Sequence, residues 1–258
     1  MAFDFDGKKY AQASAHQKEW GARLIAELDL DGTEHILDLG CGDGGLTSQL
    51  AALVPQGRVV GVDASPGMID VAGTRATGNL SFCLMDINHW TLADRFDLIF
   101  SNATLHWILD HGVLLANVYD HLTDTGVARF NFAGEGNCSC LCRVVNEVMQ
   151  QNKYEPYYQD FVWPWFMPSV EQYEALLQHV PFRETRVWGE NTDRNFPGAD
   201  ALIGWIDQPS LVPFLRQVEG PVKKDFRDAV VERMLRETDR GDGTYFETFR
   251  RINVLAKR

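Results

Sequence analysis

The chain has 258 residues, 45% of them hydrophobic, and a formal net charge of −12, enough sequence for one large α/β domain or for such a domain carrying an insertion. No Lys/Arg run exceeds two residues, which sets aside nucleic acid and anionic membrane as partners of the whole chain, and no apolar run approaches the roughly 20 residues of a membrane span. Five cysteines, an odd number, fit reduced thiols and a cytoplasmic location, and no basic-then-apolar leader pattern is read at the start.

Residues 1–9 read as loosely packed. Residues 10–28 have a helical pattern, with Trp20, Leu24 and Leu28 on a face shared with Ala13 and Gln17. Ile36-Leu37-Asp38-Leu39 then runs as a buried strand into Gly40-Cys41-Gly42-Asp43-Gly44-Gly45. Beyond it Leu46, Leu50 and Ala51 recur at helical spacing. Strand, tight loop and helix together open a nucleotide-binding α/β sheet. The glycines allow a sharp turn and a close ligand, and the helix start aims free N–H groups at it. Gly40, Gly42 and Gly45 satisfy G-x-G-x-x-G, a weak signal alone. The charges decide more. Asp38 and Asp43 would repel a pyrophosphate at short range and attract a ligand with a positive end.

S-adenosylmethionine (SAM) carries an ammonium and a sulfonium and no phosphate. Leu37-Asp38-Leu39-Gly40-Cys41-Gly42-Asp43-Gly44 resembles the first motif of the class I SAM-dependent methyltransferases. The resemblance implies that Asp38, Gly40 and Gly42 hold the cofactor. In that superfamily a helix ahead of the first strand closes over the cofactor, so Tyr10, Gln17 and Trp20 are candidates for its cover. Residues 58–63 read as the second strand, ending in Asp63. Its distance from Gly40, just over twenty residues, lets a carboxylate reach the two ribose hydroxyls, with Ala64 beside it. Ser65 as N-cap and Pro66 at N1 open the next helix. Met68, on its first turn, matches the family's adenine-packing residue. Residues 80–84 form a third strand, followed by Asp86-Ile87; Asp86 matches the acid that accepts from the adenine amine.

Residues 96–100 read as the fourth strand. Ser101-Asn102-Ala103-Thr104-Leu105-His106-Trp107 resembles the family's fourth motif with the Leu-His-Trp tail found in small-molecule methyltransferases. Ser101, Asn102, Ala103 and Trp107 are assigned to the cofactor. His106 is the candidate catalytic residue, as general base or as a donor to the substrate. A helix over 113–122 and a fifth strand over 126–132 follow, then Gly134-Glu135-Gly136-Asn137 and a helix from about 139 to 151. Cys138, Cys140 and Cys142 lack zinc-ligand spacing and are read as packing residues, with no metal. Residues 154–168 are rich in aromatics and proline. Ser169 and Gln172 form a capping box for a helix over 169–180. A strand over 183–189, an apolar stretch over 198–218 interrupted by Pro209 and Pro213, a helix over 222–237 and a last strand over 245–257 complete the chain. Residues 191–243 are thus expected to be a helical insertion forming a lid over the acceptor pocket, with Trp107, Trp163, Trp165 and Trp205 as candidate walls.

The Leu-His-Trp stretch, Gly134-Glu135-Gly136-Asn137 and the ending Gly-Thr-Tyr-Phe-Glu-Thr-Phe-Arg-Arg-Ile-Asn-Val make nearly the whole chain similar to the trans-aconitate methyltransferase group, whose members methylate carboxylates of small acids. That resemblance implies a Rossmann-like α/β fold: a seven-stranded, mostly parallel sheet with an antiparallel last strand, helices on both faces and a helical lid. It implies a single domain over 1–258, with an N-terminal cover over 1–30 and the lid over 191–243. It also implies SAM as cofactor, S-adenosyl-L-homocysteine as product, a small-molecule substrate and a monomer or weak homodimer. A carboxylate acceptor is already ionised and needs a cation, not a base; Arg183, Arg186, Arg194, Arg250 and Arg251 are available. A hydroxyl acceptor would recruit His106 as base, and an amine would have to lose a proton. An NAD-dependent oxidoreductase, opposed by Asp38 and Asp43, and a non-enzymatic SAM-binding protein are the other readings.

Overall fold

The computed structural model describes residues 15–258. Tyr10 lies outside the described residues, as does the side chain of Gln17. In chain order the elements are α1 (Ala15–Ala26), β1 (His35–Leu39), α2 (Gly45–Leu53), β2 (Arg58–Asp63), α3 (Pro66–Gly73), β3 (Leu80–Leu84), β4 (Phe96–Asn102), α4 (His111–His121), β5 (Leu122–Ala133), α5 (Ser139–Met149), α6 (Val170–Leu177), β6 (Glu184–Asn191), β7 (Arg194–Phe196), α7 (Ala199–Trp205), α8 (Val212–Leu215), α9 (Gly220–Thr238), β8 (Tyr245–Glu247) and β9 (Arg250–Lys257). A 3-10 turn, Leu105–Trp107, sits between β4 and α4. The chain divides into two compact units, one running through Glu135 with Trp165–Glu190 and Arg251–Arg258, the other of Gly136–Pro164 and Asn191–Arg250.

The first unit is built on a seven-stranded sheet of order β3-β2-β1-β4-β5-β9-β6. Strands β3, β2, β1, β4 and β5 run parallel, and β9 pairs antiparallel with β5. The central strands are almost wholly buried, as in a sheet covered on both faces. Alternation along them makes two cores. Leu37, Leu39, Val60, Val62 and Ile99 face one side. Ile36, Val59, Leu98 and Phe100 face the other, against Leu24 and Ile25 of α1 and Leu50 and Ala51 of α2. Strand order reverses between β1 and its neighbours β2 and β4, which opens a crevice at their carboxyl ends.

Local rules hold well here. Ser65 Oγ accepts the Met68 N–H at 3.4 Å and caps α3. Ser169 and Gln172 exchange both bonds of the capping box on α6. The helix expected over 113–122 begins at His111 instead, because the Asp110 carboxylate accepts the Val113 N–H at 3.0 Å.

In the second unit α5 and α9 are joined by Arg143–Glu237 at 2.6 Å and by an Arg233–Glu147 ion pair. The stretch 198–218 is no single helix. It breaks at Gln208, whose φ of −147° leaves the helical region, and α8 restarts with Pro213 in its first turn. The expected last strand is also interrupted. Glu247 turns its carboxylate to the N–H groups of Cys140 and Leu141 at 3.2 and 2.9 Å, so the acid of β8 caps α5. The Phe249 N–H goes to Asp193 Oδ1 at 2.9 Å, and β8 pairs with β7 in a two-stranded sheet of its own. Burial, reinforced by the Glu247 charge, pushes the Cys140 and Cys142 thiols up to about 11 and 12. Both thiols are therefore protonated and inert near neutral pH. Among the described residues no His/Cys/Asp/Glu group of three or more is arranged to hold a metal. No described helix is long and apolar enough to cross a membrane. Trp163 packs on Phe214, and Trp205 on Phe196 and Phe249.

Candidate active site

The loop after β1 is bent by three left-handed glycines, Gly40, Gly42 and Gly44, with φ of 76°, 54° and 75°. The N–H groups of Gly40 and Cys41 both bond to Val62 O, at 2.8 and 2.9 Å, which ties the loop to the end of β2. The Asp63 carboxylate completes this tie, accepting from Gly42 N at 3.0 Å and Ser65 N at 2.9 Å. A backbone bond from Ala64 adds to these two. Burial raises the Asp63 carboxyl above its ordinary value, while these backbone bonds pull the other way. A Cβ on Gly42 would meet nothing within 4 Å, so the loop has an open face at that residue.

Asp38 lies beneath the loop, only 2% exposed, and accepts the Thr47 hydroxyl at 2.7 Å. Burial raises its carboxyl to about 7, against the Thr47 bond and with the added repulsion of Asp63. Asp43 Oδ1 takes the Gly45 N–H at 3.1 Å, and Asp43 O takes Arg75 Nε at 2.8 Å.

The end of β4 is stitched to the same loop. Ser101 Oγ donates to Leu39 O at 2.8 Å and Thr104 Oγ1 to Gly40 O at 3.1 Å. Between them Ala103 holds a φ of 59°, rare for a residue with a side chain, and its N–H is anchored on Asn131 O at 2.7 Å. Helix α1 meets this junction through Gly21, where a Cβ would fall 2.1 Å from Leu46 Cδ1 and 3.0 Å from Asn102 Nδ2. At the end of β3, Met85 N bonds to Asp63 O at 2.9 Å, which brings Asp86 and Ile87 next to the end of β2. The Asp86 carboxylate caps its own turn, taking Asn88 N at 2.9 Å and Asn88 Nδ2 at 2.8 Å. Met68 and Ile87 are both buried, and Ala64 is half-buried between the β2 acid and the α3 cap.

His106 and Trp107 stand on the 3-10 turn beyond β4, with Trp165 edge-on to Trp107 at 5.7 Å. The His106 ring is partly exposed, yet its Nδ1 is sealed and finds no hydrogen-bond partner among the described residues. Burial, with the nearby positive charge of Arg251, pushes its imidazole down to about 3, so it is neutral at physiological pH. Of the five arginines considered for an acceptor, Arg183 and Arg186 are exposed, Arg194 lies over Phe196 and Phe249, and Arg250 pairs with Asp193. Arg251 is buried. Its Nε and Nη2 bond to Asn131 Oδ1 at 2.8 and 2.7 Å, and its guanidinium stacks 4.7 Å from the centre of the Trp20 ring.

The chain-distant residues here escaped sequence reasoning. Asn131, Asn253 and Arg129 continue the Arg251 bonds across the β5–β9 pair, with Asn131 Nδ2 on Asn253 Oδ1 at 2.9 Å and Arg129 Nη2 on Glu27 at 2.7 Å. Period-two polarity at 129, 131, 251 and 253 was the signal available.

Left-handed glycines below an open face, an acid closing β2 and the carboxylates of Asp38 and Asp43 around the loop suit a cationic nucleoside ligand. Fold and site together define a class I SAM-dependent methyltransferase. A methyltransferase-domain family profile matches residues 36–126. The trans-aconitate 2-methyltransferase of Deinococcus radiodurans is 31% identical over 231 residues, 86% of each chain, and that of Acidovorax ebreus 27% identical over 261 residues, 99% of this chain and 98% of the relative. The YcgJ protein of Bacillus subtilis has the same fold, with a TM-score of 0.65 at 15% identity over 93% of this chain and 98% of that one. The chain belongs to the class I SAM-dependent methyltransferase family and is related to several of its small-molecule branches, the trans-aconitate enzymes among them. It is an enzyme that takes SAM as methyl donor and releases S-adenosyl-L-homocysteine.

Proposed function

We propose that this methyltransferase esterifies a carboxylate of a small organic acid. The observation that carries the reading is the likeness, over nearly the whole chain, to enzymes named for methyl transfer to trans-aconitate. The chemistry of the site supports it. A carboxylate acceptor is ionised near neutral pH and needs positioning beside the methyl donor, exclusion of water and a compensating cation. Arg251, buried on the strand beside β5, supplies that positive charge within the same unit as His106. A hydroxyl acceptor would need a base titrating near the working pH, whereas His106 is held down at about 3. The test is transfer of labelled methyl from SAM to trans-aconitate and a panel of di- and tricarboxylates. An ester releases its label as methanol in mild base; a product whose label survives base overturns the carboxylate reading.

SAM supplies an electrophilic methyl group. Within the proposal Asp63 takes the ribose hydroxyls, Asp86 the adenine amine, Met68 and Ile87 the adenine faces, and Ala64, Ser101, Asn102, Ala103 and Trp107 the remaining surface, with Tyr10, Gln17 and Trp20 as cover. His106 then acts as a neutral hydrogen-bonding group to the acceptor. Replacement of His106 by alanine is expected to lower kcat/KM about tenfold, with kcat staying flat between about pH 6 and 8. A new pH dependence in the variant, or a wild-type rate, would remove His106 from this role.

Asp38 is proposed to face the α-ammonium of the cofactor. A cation beside it favours the ionised form, so binding at about pH 6 is expected to release about one proton and affinity to rise with pH, levelling above about 7. Calorimetry in two buffers of different ionisation heat measures that proton; none released at the lower pH excludes the contact. The same raised value gives the ligand-free protein an opposite trend. The native state holds a proton that the unfolded chain has lost, so this contribution to stability is full below 3.8 and is lost as pH rises through about 7.

A further inference from the structure

Behind the Leu105–Trp107 turn lies a buried polar chain that none of the motifs contains. His111, the first residue of α4, is 2% exposed and Tyr173 of α6 is fully buried. Tyr173 Oη is 3.0 Å from His111 Nδ1, and His111 Nε2 is 3.0 Å from Leu105 O. A carbonyl can only accept, so Nε2 carries the proton, and Nδ1 is left as acceptor for the tyrosine hydroxyl. The direction of the whole chain is therefore fixed: Tyr173 O–H donates to His111, and His111 N–H donates to Leu105 O. Phe132, Phe166 and Tyr173 pack around the imidazole with centroids 5.5, 4.7 and 5.3 Å away. The next carbonyl, His106 O, accepts Phe166 N–H at 2.8 Å. Two successive carbonyls of one short turn are thus gripped from α4 and from the segment leading to α6.

We propose that His111 and Tyr173 are positioning residues for methyl transfer, holding the Leu105–Trp107 turn so that the His106 ring and Trp107 keep one orientation toward the acceptor. The inference rests on the reading of His106 as an acceptor-contacting group. A 3-10 turn has poor internal hydrogen-bond geometry, and here its own bonds are two, Trp107 N to Thr104 O and Ile108 N to Leu105 O. Outside bonds must supply the rigidity that an in-line displacement needs. Burial lowers the His111 imidazole to about 4, which keeps it in the single neutral tautomer this chain requires.

The test compares Tyr173→Phe, His111→Leu and His111→Gln. Three quantities are measured: steady-state methyl transfer to trans-aconitate, SAM affinity by calorimetry, and the imidazole nitrogen resonances of His106 in the protein loaded with S-adenosyl-L-homocysteine. Tyr173→Phe is expected to lower kcat about tenfold and His111→Leu about a hundredfold, with SAM affinity within about twofold of the parent. His111→Gln, whose amide N–H stands in for Nε2–H, restores most of the rate. The His106 resonances shift and broaden in His111→Leu and return in His111→Gln. Parent-like kcat and His106 resonances in His111→Leu overturn the proposal, as does a loss that glutamine fails to restore, which would mark packing alone. If His111→Leu does not fold, Tyr173→Phe, which deletes one oxygen, carries both readouts. If trans-aconitate is not a substrate, the acid that the panel identifies takes its place; if no acid of the panel is methylated, the carboxylate reading fails and the His106 resonances alone decide the positioning role. If His106→Ala leaves transfer intact while His111→Leu slows it, the coupling through His106 is wrong.

Discussion

Replacing Asp63 with alanine is expected to raise the dissociation constant for SAM by about ten- to a hundredfold, the loss of charge-assisted hydrogen bonds worth about 1.5–3 kcal/mol. On the proposed reading Asp63 has two duties. Its oxygens hold the N–H groups of Gly42 and Ser65, so the carboxylate shapes the loop after β1 besides taking the ribose hydroxyls. Alanine abandons both duties and will lower stability as well as affinity. Asparagine separates them in part, because its carbonyl oxygen still serves one backbone donor while its NH2 opposes the other and the charge is gone. Asp63→Asn should recover part of the melting temperature that alanine loses and still bind SAM poorly. Calorimetry and thermal unfolding on the two variants read this directly. If Asp63→Asn binds SAM as the parent does, the carboxylate is only a loop brace and the ribose contact must be sought elsewhere.

Asp63 illustrates what a sequence makes legible. Features set by neighbours in the chain were readable: the glycine loop between Leu39 and Leu46, the Ser65 cap, the Ser169–Gln172 box, and the acid at the end of β2. The seven-stranded, mostly parallel sheet and its antiparallel last strand were also expected, through the resemblance those motifs carry. What could not be read depends on contacts between residues far apart in the chain. Ser101 meets Leu39 and His111 meets Tyr173 across 62 positions each, and Arg251 meets Asn131 across 120. None of these pairs has a spacing or composition that singles it out; only the closing of the sheet brings them together. The interrupted last strand has the same origin. Its residues alternate well enough to read as one strand, but Glu247 is needed at the start of α5 and Phe249 bonds to Asp193. Tertiary demands of this sort override local pattern routinely.

Arg251 shows the intermediate case. Five arginines were equivalent in the sequence, and burial distinguishes one of them. A guanidinium stacked on Trp20 and forked onto Asn131 is held in one plane by bonds that use its Nε and Nη2 hydrogens. Burial, aided by the Arg251 charge, keeps the neighbouring His106 neutral. On the proposed reading, a carboxylate acceptor near Arg251 meets a neutral ring rather than a competing cation.

Gly40→Ala and Gly42→Ala should part company, and the contrast tests where the cofactor lies. Both glycines are left-handed, so both alanines carry about 1–2 kcal/mol of backbone strain. At Gly40 the new methyl would also fall 2.1 Å from Thr104 Cγ2 and 2.2 Å from Thr104 Oγ1. That side chain is short, β-branched and bonded to Gly40 O, so it has no easy escape. Overpacking of this kind adds about 1–3 kcal/mol, a large part of the 5–15 kcal/mol that holds an ordinary domain together. Gly40→Ala is therefore expected to lower the melting temperature sharply whether or not SAM is present. Thr104→Ala in the same chain removes two of the three clashing atoms and should recover part of the loss, a coupling that a double-mutant cycle measures. At Gly42 the methyl meets nothing within 4 Å of the protein, so the ligand-free variant loses only the backbone term. It does, however, stand on the open face of the loop. If SAM lies there, Gly42→Ala will bind it far more weakly than its small stability loss accounts for. Parent-like affinity in a folded Gly42→Ala protein would mean that this face of the loop is not where the cofactor sits.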